Sequence, residues 1–172
     1  MYDPTIFENL KVAFENQVYD LDNLDHKITI TNRFDRMDFS IIKRDFGIQF
    51  TLVDQPDVKA EIIIVASIEE LSAEILEQPG KNPGCSMYLR FYKNVQDTTK
   101  QCKEIEQILN EIWEPDLPLT QSLSYVYVQD SPSTYLDIIE VAFNHKINEE
   151  HMGDIADFLE HVLNTLKVLN GI

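Results

Sequence analysis

The chain has 172 residues, 44% hydrophobic and 26% charged, and 14 basic against 30 acidic side chains give it a net charge of −16. That length suits a single domain, 1–172, with a core of its own, and the acidic surface repels phosphate, which argues against nucleic acid and anionic membrane as partners. Residues 1–50 contribute −3, residues 51–115 contribute −6 and residues 116–172 contribute −7; such a surface either keeps the chain soluble by self-repulsion or docks on a basic protein.

No run approaches the roughly 18 apolar residues of a membrane span. The opening MYDPTIFENLKVAFENQVYD has neither the basic flank nor the apolar block of a secretory signal, so a cytoplasmic protein is expected. Cys85 follows a Pro-Gly loop and Cys102 falls on an apolar helical stripe. With no CxxC pair, both are expected to be reduced, unreactive thiols.

A first helix is expected from an Asp3 cap and Pro4, since Phe7, Leu10, Phe14, Val18 and Leu21 recur at steps of three and four. Ile28 and Ile30 alternate with Thr29 and Thr31 as a short strand. Residues 33–46 fit two patterns: Met37, Phe39 and Ile41 suit a strand, Ile42 and Phe46 suit a helical turn, and Gly47 closes the segment. IQFTLV (48–53) and VKAEIIIVA (58–66), joined by DQPD, predict an antiparallel hairpin. The run Ile62–Val65 predicts a strand covered on both faces.

Ser67, with Glu70 three residues on, predicts a capping box opening a helix with the stripe Ile68, Leu71 and Ile75, which EQPGKNPG ends. Met87, Leu89 and Phe91 then alternate with Tyr88, Arg90 and Tyr92 in a strand. Asp97 caps a longer helix striped by Cys102, Ile105, Leu109 and Ile112 and broken at Pro115. SLSYVYVQ (122–129) and YLDIIEVAFN (135–144) form a second expected hairpin around DSPS. The last helix is expected from an Asn148 cap to Gly171, with a seam of Met152, Ile155, Leu159, Val162, Leu166 and Leu169. The expected class is α+β: a mostly antiparallel sheet with flanking helices, two hairpins, and amphipathic helices near both ends. Connections through residues 67–77 and 97–113 leave room for a parallel pair.

FNHKINEEHMGD (143–154) gathers two histidines and three acids. We read it as a strand handing over to a capped helix, because its spacing suits metal poorly. A helical site wants histidines four apart, and the next one after His151 is His161. His151 and Asp154 alone do not make a site. Glu149 and Glu150 at a helix start complement the helix dipole. The acids Asp20, Asp22 and Asp25 lack the glycine and terminal glutamate of a calcium loop. No phosphate loop or nucleophile elbow is present either, and no cofactor is expected.

Tyr88, Arg90 and Tyr92 share one strand face, with Tyr125 and Tyr127 on a strand that can lie beside them. Tyrosine and arginine dominate protein interfaces, so these five form the candidate interface, against the plainer role of packing across strands under a helix. The terminal seam is core, or a homodimer surface if part of it is exposed. Two functions follow. One is an acidic, non-catalytic protein-binding or chaperone-like module, self-associating or bound to a basic partner. In element order alone the chain resembles the type III secretion chaperones, a resemblance that assigns no residue a role. The other is a sensor or enzyme with a pocket between sheet and helices, using His145, Glu150, His151 and Arg90.

Overall fold

The computed structural model describes residues 5–130 and 134–172. Helix α1 (Ile6–Asn23) leads into strands β1 (Ile28–Asp38), β2 (Lys43–Leu52) and β3 (Lys59–Ala66), then α2 (Ile68–Ile75), β4 (Ser86–Val95) and α3 (Thr98–Trp113). Strands β5 (Thr120–Ser124) and β6 (Tyr135–Ala142) follow, and a 3-10 turn (Glu149–Asp154) enters α4 (Ile155–Asn170). All six strands join one sheet in the order β1-β2-β3-β4-β6-β5. Every neighbouring pair is antiparallel, so the fold is α+β and, among the described residues, the parallel pair that the connections allowed is absent. Strand β6 fills the place between the like-directed β4 and β5 and keeps them apart, while β3 and β4, joined through α2, pair directly as antiparallel neighbours.

Register sorts the side chains into two faces. The cross-strand rows Ile48–Ile62–Leu89–Val141 and Phe50–Ala60–Phe91–Ile139 are buried. Against them pack Phe7, Leu10, Phe14 and Val18 of α1, Ile105 and Leu109 of α3, and Ile155, Leu159, Val162, Leu166 and Leu169 of α4. Each such side chain contributes about 1.5–3 kcal/mol on burial. The terminal seam is therefore core. Its exposed member is Met152, in the 3-10 turn. Trp113 closes the α3–α4 corner, its Nε1 donating to Thr165 Oγ1 at 3.0 Å and its ring meeting Phe143 and Phe158 edge-on.

Several local expectations change. Asp3 and Pro4 lie outside the described residues; the described helix starts after Thr5, whose Oγ1 accepts from the Glu8 N–H at 3.2 Å. Residues 33–46 are strand, apart from a turn at 39–42. Gly47 sits inside β2 instead of closing a segment, because the Phe34 ring occupies the space where a Cβ would stand, 2.3 Å away. Ser67 caps α2, but Glu70 does not complete the box: its carboxylate takes the Gly84 N–H at 2.7 Å and pairs with Lys146. Ile68 and Ile75 of the α2 stripe stay exposed, with Ala73 buried in their place. Strand β5 stops at Ser124, well short of Gln129, and of the expected DSPS turn residues 131–133 lie outside the described residues.

Candidate functional site

Among the described residues, the buried apolar side chains of α1, α3 and α4 join the core rows on one face of the sheet, which leaves the other face to its own side chains. A polar row crosses all six strands there: Asn32, Gln49, Glu61, Arg90, Glu140 and Thr120 are successive cross-strand partners. Beside it runs Phe34–Gly47–Ile63–Tyr88–Ala142, and on the other side Thr51–Lys59–Tyr92–Ile138–Ser122. Tyr88, Arg90 and Tyr92 thus lie together on this open face, each partly exposed, and are not packed under a helix.

The polar ends of Tyr92 and Arg90 are tied down. The Tyr92 hydroxyl donates to Glu61 Oε1 at 2.7 Å, and Gln49 Nε2 donates to Glu61 Oε2 at 3.4 Å. Burial, reinforced by the Glu61 carboxylate, pushes the Tyr92 phenol up to about 12. Arg90 Nε donates to Glu140 Oε2 at 2.6 Å; burial opposes the Arg90 charge, but the Glu140 contact outweighs it and raises the guanidinium further. A half-exposed pair of this kind is worth about 0–1 kcal/mol, so it fixes geometry more than stability. Farther out, Arg36 pairs with Asp45 at 2.5 Å and lies over the Phe34 ring at 4.1 Å. Preset tyrosine and guanidinium groups on an open face suit recognition of a surface, because little side-chain freedom is left to lose on contact.

Tyr125 and Tyr127 lie elsewhere. They follow the end of β5, and Tyr125 meets Tyr135 edge-on at 5.6 Å. Tyr135 partners Val95 and packs against the core, so Tyr125 is on the helix side of the sheet. The polar-pocket residues do not converge either. His145 is 85% exposed, 3.8 Å from Asp116. His151 Nδ1 accepts the Asn148 N–H at 3.0 Å while Asn148 Oδ1 accepts the Glu150 N–H at 2.9 Å. That reciprocal cap occupies His151, and the Glu150 side chain is exposed. Among the described residues no three His, Cys, Asp or Glu side chains are placed to hold a metal ion. A cleft of about 490 Å³ between His26, Asp54 and α4 contains none of the predicted pocket residues.

Two groups escaped the sequence reading. Glu61 is buried on the open face as the acceptor for Tyr92 and Gln49; its signal was a lone acid directly before the apolar run Ile62–Val65. Asp137 is fully buried on the helix side of β6, its Oδ2 3.8 Å from Cys102 Sγ. Burial pushes its carboxyl up to about 6. Gln121 Nε2 ties β5 to the same turn of α3, donating to the Cys102 carbonyl at 2.8 Å. The other thiol, Cys85, is buried and driven up to about 12 by loss of solvent, which leaves it unreactive. No protein-family model, curated protein or solved structure matches the chain.

Proposed function

We propose that this chain is an acidic protein-binding module, chaperone-like and cytoplasmic, that acts by docking a basic protein partner and catalyses no reaction. The observation that carries the reading is the open sheet face: Tyr88, Arg90 and Tyr92 stand partly exposed on it, with Arg90 and Tyr92 held by hydrogen bonds to Glu140 and Glu61, in a chain of charge −16. Aromatic and arginine groups supply the contact energy, and the surrounding carboxylates supply attraction and rate. The two free thiols fit a reducing compartment, and among the described residues no helix is long and apolar enough to cross a membrane.

The test is retention of basic proteins from a cytoplasmic extract on the immobilised chain. Retention should be released by salt and lost in a Tyr88→Ala/Tyr92→Ala variant whose thermal unfolding stays cooperative. Equal retention by that variant, or retention indifferent to salt, would remove the open face from the reading.

A further inference from the structure

Strand β5 is an edge of the sheet, and among the described residues no strand pairs with its outer side. The chain continues past it as Tyr125, Val126, Tyr127 and Val128, a strand-forming sequence that has no ladder partner among the described residues and is exposed, with Val126 and Tyr127 at 83%. From Leu117 through Gln129 there is no charged residue. Natural edges are normally blunted by lysine, proline or a bulge, because their unpaired N–H and C=O groups accept any extended chain; Thr120–Ser124 carries none of these.

The surroundings select what can pair. Between Lys103 and Lys146 the sequence holds eight acids and no lysine or arginine. Glu104, Glu106 and Glu111 on α3, then Glu114 and Asp116 on the link into β5, all stand exposed. The cations of α3, Lys100 and Lys103, sit toward its start. Past the strand's end, Ser124, Tyr125, Val126 and Leu136 help line a shallow recess of about 380 Å³ that can take one side chain of an incoming strand. Exposed tyrosine faces also attract ammonium and guanidinium groups.

We infer that the β5 edge, extended by Tyr125–Val128, binds an extended basic segment of a partner protein by strand addition. Main-chain hydrogen bonds along Thr120–Ser124 give the register, and the carboxylates of α3 and its following link pair with the segment's lysines or arginines. A second copy of this chain is a poorer occupant, since it brings the same uncompensated acids to the contact. The inference rests on the protein-binding reading for the nature of the partner, and locates a contact distinct from the Tyr88–Tyr92 face.

Amide hydrogen exchange of the full chain tests it, using a capped peptide of alternating valine and lysine about eight residues long. At saturation, exchange in Thr120–Val128 should slow about tenfold or more, with Ile28–Asp38 unchanged. A valine–glutamate peptide should protect nothing. Leu123→Lys should abolish the protection while leaving core amides intact, and Tyr125→Ala/Tyr127→Ala should weaken binding several-fold. Absence of protection, protection along β1, or equal protection by the acidic peptide would overturn the inference. Protection that grows with protein concentration without peptide would overturn it in favour of self-association. Loss of edge protection with salt-sensitive capture through Tyr88 and Tyr92 intact refutes this inference alone. The converse result refutes the open-face reading alone.

Discussion

Strand β1 runs for eleven residues along one edge of the sheet and carries Arg33, Asp35, Arg36 and Asp38; strand β5 runs for five along the other and carries no charge. Arg33 pairs with Glu15 of α1, and Asp35 takes Lys11 at 2.7 Å and Arg44 at 3.0 Å. Arg44 reaches Glu8 as well and lies over the Phe7 ring at 4.5 Å. A register shift between Ile30 and Asn32 further breaks β1 as a template. Strand β5 has a buried carboxylate, Asp137, as the direct partner of Leu123. The difference teaches that guarding an edge and rooting it go together here: β1 is charged, paired to α1 and anchored by the buried Ile28, whereas β5 carries no charge and no buried side chain.

The largest expected effect contrasts the two seats. Ile28 is fully buried, so Ile28→Ala should cost about 2–4 kcal/mol by leaving a cavity. Leu123 is 45% exposed, and Leu123→Ala should cost under about 1 kcal/mol. Denaturant midpoints for the pair check this; equal losses would erase the contrast.

Next comes Asp137. Its carboxyl is raised to about 6 in the fold, above the roughly 3.9 of an unfolded chain. Holding it ionised therefore costs stability above about pH 6, and that cost fades as pH falls toward the unfolded value. Asp137→Asn should stabilise the chain by about 2 kcal/mol near pH 7.5, with the advantage vanishing near pH 4. Chemical unfolding across that range tests the sign, and a variant less stable than the parent at neutral pH would show that the ionised carboxylate helps.

Edge β1 should respond to acid in the opposite direction. Burial favours the neutral form of Asp35, but hydrogen bonds from Arg44 and Lys11 outweigh it and hold the carboxyl below its usual range. Its contribution is present above about pH 4 and is lost as pH drops through the lowered value. Arg44→Met should remove about 1 kcal/mol at neutral pH and nearly nothing once Asp35 is protonated, readable from the same unfolding curves. A loss of equal size in strong acid would assign Arg44's role to its stacking on Phe7.

Much of this frame was legible because helix stripes and caps are local. The α1 and α4 stripes pack where their three–four spacing puts them, whereas Asn148 caps the 3-10 turn and not α4, which starts at Ile155 without a side-chain cap. The 33–46 segment was not legible, since Met37, Phe39 and Ile41 stay exposed around a turn and carry no alternation that a buried face would impose. Gly47 looked like a stop because the contact that requires glycine, the Phe34 ring, comes from another strand. Likewise Tyr88, Arg90 and Tyr92 of β4 could be grouped from one strand, but Glu61, which accepts from Tyr92, and Glu140, which accepts from Arg90, are set by register. The sequence around Tyr125 and Val128 favours a strand, yet β5 ends at Ser124.

Photo-crosslinking separates the edges most directly: a light-activated side chain is placed at Ser122 in one chain and at Thr29 in another, each mixed with the basic valine–lysine peptide. Adducts should form at Ser122, fade as salt rises, and be near background at Thr29. Comparable yields at both positions, or adducts only at Thr29, would contradict the assignment of β5 as the open edge.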